Sequence, residues 1–285
     1  MLNNPIGAIA YYLLRNDQSW KLLPDKEKEM VLSENRKHNI GREDYADPEM
    51  YGKERFTGGE NWDSFQLSPD DTRGQELFKL LRENNPENIL EIGPGAGFYS
   101  RLICNYESVI NYTAVDIGMA FLEYLRPRLE ELKKEKNLAY SLVCGEITDI
   151  IISEKFDMIV LLSTVHHIPN RVDLFRRLNM FLKDRGTIFC VDPSHYMYRI
   201  AMLVYKCLFR GYLKKDFLKD KSNFSTHHMC TCGEYRRIFR KISELNIERM
   251  FYSLPGKLKR INHPCLSNRW ISSEIGIVIR KHEIS

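Results

Sequence analysis

Glu91-Ile92-Gly93-Pro94-Gly95-Ala96-Gly97 decides how the rest of this chain is read. The run Asn88–Ile92 is short and apolar, as a buried strand should be, and a helix is expected from about Tyr99. Glycines suit the junction because the chain must turn tightly and let a ligand approach the backbone without interference from a Cβ. A glycine-rich turn alone is weak evidence, since many strand–helix turns carry glycine for packing. Here the strand–turn–helix context is right, and an acid, Glu91, sits at the strand end directly before the glycines. A dinucleotide site needs room and the positive end of a helix for a pyrophosphate. A carboxylate at that point instead suits an ammonium group, which turns the reading away from a nicotinamide dinucleotide.

Outward from the turn, strand and helix alternate, the mark of a parallel sheet. Tyr112–Asp116 reads as the second strand, Ala139–Cys144 as the third, Phe156–Leu162 as the fourth and Gly186–Asp192 as the fifth. Upstream, Ser68-Pro69-Asp70-Asp71 reads as a helix start with Ser68 as the cap. The helix after strand two is expected to break and restart at Pro127, because proline fits a first turn and not an interior. Glu130 and Lys134 are spaced to support the restarted part. Asn170 is expected to cap a helix reaching about Leu182, and Thr231-x-x-Glu234 is a capping box. Ile247–Ser253 and Ser272–Arg280 close the sheet with no helix between them, unlike a simple doubly wound dehydrogenase. Residues 1–65 are expected to form an irregular helical cap, 66–285 the main domain, and 193–232 an insertion after strand five.

The 285 residues, 43% hydrophobic and 28% charged, suffice for one large α/β domain or at most two small ones. A net charge of +4 is too mild for the concentrated basic face of a duplex binder, so no nucleic-acid partner is expected. No apolar run reaches the roughly 20 residues that span a bilayer. The first residues lack the basic stretch and cleavage site of a signal peptide. Seven cysteines, odd in number and scattered through predicted strands and helices, fit reduced thiols better than a disulfide framework. A cytoplasmic protein is expected.

Glu91–Gly97, Asp116, Cys144-Gly145-Glu146, Phe156-Asp157 and Leu182-Lys183-Asp184-Arg185-Gly186 together resemble the successive motifs of class I S-adenosylmethionine-dependent methyltransferases. The resemblance covers about residues 68–192, and Ile247–Arg280 matches that family's closing strand pair. It implies an α/β fold with a seven-stranded, mostly parallel, Rossmann-like sheet whose last strand is antiparallel. It also implies S-adenosylmethionine as cofactor, with Gly93, Gly95 and Gly97 passing against it and Glu91 near its methionine part. Asp116 would hold the ribose hydroxyls, a role that a carboxylate at this strand end also suits on chemical grounds. Ile117 would lie against the adenine, Glu146 and Ile147 would border the adenine amino group, and Ser163 would face the methionine end. Two departures stand out. Residue 146 is Glu where the family often has Asp, and Lys183–Gly186 has one glycine fewer than the usual turn.

Methyl transfer from a sulfonium is an in-line displacement, so the protein must align the acceptor and a general base is optional. Ser163-Thr164-Val165-His166-His167-Ile168-Pro169 leaves strand four at the edge where ligands sit in open α/β folds. Either histidine could take a proton there near neutral pH, His167 being preferred over His166. The alternative is that an imidazole packs or hydrogen-bonds within the loop. His227-His228-Met229-Cys230-Thr231-Cys232 has suitable ligand types but not the usual zinc spacing, and no second pair completes it, so no metal is expected.

Substrate selection is expected from three segments that match no motif: the N-terminal cap, the 193–232 insertion and the 254–271 loop. Tyr196–Leu213 reads as a helix whose Arg199, Lys206 and Arg210 form one stripe in an apolar surround. It suits a lid helix, with a membrane-surface helix or a dimer contact as the alternatives. Lys257, Lys259, Arg260, His263 and Arg269 in the later loop suggest an amphiphilic acceptor with an anionic group, or a solvated basic loop. The reading is methyl transfer to oxygen, nitrogen or carbon of a small molecule. The alternatives are a protein or RNA methyltransferase, or a non-catalytic scaffold that binds the cofactor. The sequence leaves the oligomeric state open.

Overall fold

In the computed structural model, residues 24–27, 29, 61–168, 170–193, 231–253 and 274–282 are described. Helix α1 (Thr72–Asn84) leads into β1 (Asn88–Ile92), α2 (Phe98–Asn105), β2 (Asn111–Asp116), α3 (Met119–Lys136) and β3 (Ala139–Cys144). Then come β4 (Phe156–Leu162), a 3-10 turn (Val165–His167), α4 (Arg171–Phe181), β5 (Leu182–Pro193), α5 (Cys232–Phe239), β6 (Leu245–Ser253) and β7 (Glu274–Lys281). The seven strands form one sheet in the order β3-β2-β1-β4-β5-β7-β6. Strands β3 to β5 of that order are parallel, and β7 runs antiparallel to both of its neighbours. The Rossmann-like methyltransferase sheet expected from the sequence is present. Its strand order reverses between β1 and β4, which opens a crevice at the carboxyl edge for a ligand.

Alternation along the strands sends side chains to two cores. Leu90, Ile92, Ile159, Leu161, Ile188 and Cys190 pack with Leu174 and Phe175 of α4 and with Tyr235 and Ile238 of α5. Ile89, Tyr112, Ala114, Met158 and Val160 pack with α1, α2 and α3 on the opposite face. Both faces of the central strands are therefore buried, which is why β1 and β4 read as continuous apolar runs.

Three local expectations are corrected. Ser68 does not cap a helix: residues 68–71 form a turn in which Asp71 N–H donates to the Ser68 carbonyl at 3.1 Å, and α1 starts at Thr72. Helix α3 runs unbroken through Pro127. Leu122, Leu125, Leu129 and Leu132 bury one face on both sides of the proline, whose own position is exposed. The carbonyl that loses its donor thus faces water, and packing outweighs the missing hydrogen bond. Strand β5 starts at Leu182 rather than Gly186, because Leu182 already pairs with Phe156 before the register shifts and resumes at Met158–Thr187. Lys183–Gly186 is thus an irregularity within the strand, with Arg185 at φ 60°.

The expected capping box is present at α5, where Thr231 Oγ1 accepts from Glu234 N–H and the Glu234 carboxylate accepts from Thr231 N–H. Most of the 1–65 cap, the Tyr196–Leu213 helix, and Lys257, Lys259, Arg260, His263 and Arg269 lie outside the described residues. Among the described residues no helix is long and apolar enough to cross a membrane.

Candidate active site at the carboxyl edge

The turn after β1 carries three glycines in the left-handed region, Gly93 at φ 70°, Gly95 at φ 53° and Gly97 at φ 73°. They serve different ends. A Cβ on Gly97 would collide with Leu125 of α3 at 2.2 Å, so this glycine exists for helix packing. A Cβ on Gly95 would meet nothing within 4 Å. Beside Gly95 the backbone therefore borders open space that a ligand can enter.

Asp116, at the end of β2, lies next to this opening. One carboxylate oxygen accepts from Gly118 N–H at 2.8 Å and the other from Gly95 N–H at 3.2 Å. Burial pushes its pKa up to about 6, although the N–H donors of Gly118, Gly95 and Ile117 work against that. Ile117 and Met119, just beyond, are among the exposed large apolar residues. They offer exposed apolar surface within three residues of the carboxylate.

Glu91 is deeper. Its Oε2 accepts from Tyr112 O–H at 2.6 Å and Ser100 O–H at 2.7 Å, and only 3% of the residue is exposed. Desolvation raises its pKa to about 7 despite both hydroxyls, and the nearby Asp116 charge adds to the rise. Across β2, Gly145 N–H donates to the Asp116 carbonyl at 2.9 Å, which brings Glu146 to the same edge, partly exposed. The Ile147 side chain turns away into the core.

The loop after β4 completes the edge. Ser163, at φ 55°, donates its N–H to the Val191 carbonyl, and Thr164 Oγ1 donates to the Ile92 carbonyl at 3.0 Å. His166 is buried, with Nδ1 2.6 Å from Asp192 Oδ1. Its backbone N–H donates to the same oxygen at 3.2 Å, and Tyr235 O–H of α5 donates to Asp192 Oδ2 at 3.4 Å. Asp192 is fully buried. His167 is exposed, its ring centroid 4.0 Å from that of His166.

With this geometry in place, comparison with known proteins gives a consistent result. Residues 90–188 match a family described as a methyltransferase domain. The matched stretch contains the glycine turn, Asp116, the β3 turn and the histidine pair. Over that stretch, about a third of its length, the chain is similar to a methyltransferase domain.

The chain is 28% identical over 100 residues to the malonyl-(acyl-carrier protein) O-methyltransferase of Priestia megaterium, covering 35% of this chain and 34% of that protein. It is 25% identical over 162 residues to the ubiquinone biosynthesis O-methyltransferase of Pseudomonas fluorescens, covering 50% and 67%. The chain thus spans about a third of the length of the first of these relatives. Among solved structures, the N-methyltransferase NodS of Bradyrhizobium japonicum, in complex with S-adenosyl-L-homocysteine, superposes with a TM-score of 0.54 at 13% identity. That match covers 80% of this chain and 95% of NodS, and it attests the fold alone.

Several groups in the candidate site were not singled out from sequence. Asp192 holds His166 and is itself bonded by Tyr235, and Tyr112 and Ser100 hold Glu91. Asp192 did leave a signal: like Asp116, it is an acid at the carboxyl end of a strand. Among the described residues no three metal-binding side chains cluster, and His227, His228 and Cys230 lie outside them. Cys232 is buried in the core.

Proposed function

We propose that the domain binds S-adenosylmethionine at the carboxyl edge of β1, β2 and β4 and methylates a protic oxygen of a small-molecule acceptor, with His166 taking the proton. The residues fit the cofactor. Gly95 lets it lie against the backbone, Asp116 offers a carboxylate for a ribose diol, and Ile117 and Met119 offer apolar surface to a purine. Glu91 supplies a buried carboxylate for an ammonium group. Glu146 borders the same edge and Ser163 begins the loop that faces it.

When bound, the cofactor supplies a methyl group on a positively charged sulfur, and the chemistry of leaving is its own. The chain holds the acceptor in line and removes its proton. The observation that carries this reading is the 2.6 Å contact between His166 Nδ1 and the buried Asp192 carboxylate. That carboxylate keeps a proton on Nδ1, so the basic lone pair is on Nε2, the arrangement by which a third group orients a general base. His166, rather than His167, is therefore the favoured proton acceptor. The names of both relatives, O-methyltransferases, support oxygen as the accepting atom.

A second reading, a carboxylate acceptor, is favoured by the name of the Priestia megaterium relative. A carboxylate has no proton to lose and needs no base. The test supplies S-adenosylmethionine with panels of phenols, alcohols and carboxylic acids, and measures S-adenosylhomocysteine release. For a hydroxyl acceptor, His166→Gln is expected to lower kcat by about 10²- to 10³-fold at unchanged cofactor KM. Turnover of a carboxylic acid that His166→Gln does not slow would replace the first reading by the second. Cofactor binding without turnover of any acceptor would favour the scaffold.

A further inference from the structure

The segment before α1 grips the cofactor turn from its outer side. Residues 61–64 first fix their own shape. Asn61 Oδ1 accepts the N–H groups of Asp63 and Ser64, each at 3.0 Å, and Ser64 O–H donates to the Asn61 carbonyl at 3.0 Å. This short Asx-type turn is preset by its sequence. From it, Trp62 N–H donates to the carbonyl of Ala96, between Gly95 and Gly97, at 2.9 Å. The indole is buried in the α1–α3 core, and its Cε3 stands 3.3 Å from where a Cβ of Gly97 would be.

Two helices clamp the segment in place. Arg101 of α2 donates to the carbonyls of Trp62 at 3.0 Å and Asp63 at 3.3 Å. Arg128 of α3 reaches both carboxylate oxygens of Asp63, and Tyr124 O–H donates to one of them at 3.1 Å. The Arg128 guanidinium also lies over the Tyr124 ring at 3.7 Å. Hydrogen bonds from Arg128, opposed by some desolvation, hold the Asp63 carboxyl below the usual range, so the pair is ionised at neutral pH.

A turn with three glycines has many conformations open to it, and a ligand that needs one of them must bear the cost of selecting it. The inner side of this turn is held by its own strand–helix unit and β2: Gly93 N–H donates to Val115, Gly97 N–H to Pro94 and Gly95 N–H to Asp116. Its outer side is held by Trp62.

We propose that Trp62 and Asp63 are positioning residues for the cofactor: the clasp onto Arg101, Arg128 and Tyr124 fixes the Gly95–Gly97 backbone in its receiving conformation before the cofactor arrives. This rests on the cofactor site proposed above. The test uses the full chain, with S-adenosylhomocysteine as the probe. Asp63→Ala is expected to weaken its binding about fivefold in calorimetry and to raise amide exchange across residues 93–98 about tenfold. Asp63→Glu, which keeps the charge, is expected to restore most of both. A lower melting temperature for Asp63→Ala, with probe affinity and exchange at residues 93–98 unchanged, would reduce the clasp to a brace of the fold and overturn the proposal. Absence of binding by the unaltered chain would instead strike at the proposed function, and the exchange data would still decide the clasp. Should Asp63→Ala fail to fold, Arg128→Gln removes the same ion pair from the other side.

Discussion

At the amino edge of the sheet, Asp157 accepts from the backbone N–H of Asn88 at 2.8 Å and of Glu87 at 3.2 Å, and pairs with Lys183 at 2.8 Å. At the carboxyl edge, Glu91 and Asp116 are more deeply buried and, among the described residues, have no cation beside them. Desolvation acts upward on all three carboxyls. Lys183 and the backbone donors still bring Asp157 below its ordinary value, whereas Glu91 and Asp116 stay well above theirs. One edge is built for stability. The other keeps carboxylates that, on the proposed reading, would be met by the ammonium and diol of a ligand.

The largest effect should come from Glu91. Its folded pKa of about 7 exceeds the reference 4.5, so the folded chain keeps this proton over a range where the unfolded chain has lost it. The contribution to stability is fully present below about pH 4.5 and is lost as pH rises through about 7, a change of about 3 kcal/mol. Glu91→Gln, which keeps an acceptor for Tyr112 and Ser100, should therefore gain stability over the unaltered chain on going from pH 5 to pH 8 in denaturant titrations. An equal difference at both pH values would break the contrast between the edges.

Next comes Asp116→Ala, which should cost about 2 kcal/mol of S-adenosylhomocysteine binding by calorimetry, the size of lost charge-assisted hydrogen bonds. Unchanged affinity would take the diol away from this carboxylate. The smallest effect, under about 1 kcal/mol, is expected for Asp157→Asn, because the pair with Lys183 is partly exposed. Its sign is the reverse of that for Glu91. The advantage of the unaltered chain should be present at neutral pH and fade as pH falls through the lowered pKa of Asp157, as acid-side unfolding curves would record.

Strands β1, β3 and β4 are legible to the residue: β1 and β4 are mostly apolar and mostly buried, while β3, partly exposed at the edge of the sheet, ends at Gly145. Pro127 is a different case. Its intrinsic rule is local, but four leucines packing on the same face outvote it, and that packing cannot be read from the helix alone. Likewise Ser68 has the chemistry of a cap, yet the turn 68–71 uses it before α1 begins. At the site, the glycine turn and Asp116 announce themselves because one short stretch carries the signal. The partner of His166 does not, since Asp192 lies 26 residues away and reaches it only because β4 and β5 are neighbours. The proposed preference for His166 over His167 rests on that pairing, which the sequence does not display.

Strand β7 joins β5 to β6, although it follows both in the chain. During synthesis, which proceeds from the N-terminus, β5 and β6 must therefore wait with open hydrogen-bonding edges until Glu274–Lys281 has emerged. The five parallel strands can assemble earlier, through successive crossovers. This keystone order concentrates the risk of misassociation at the β5 edge late in translation, because unpaired edges recruit foreign strands.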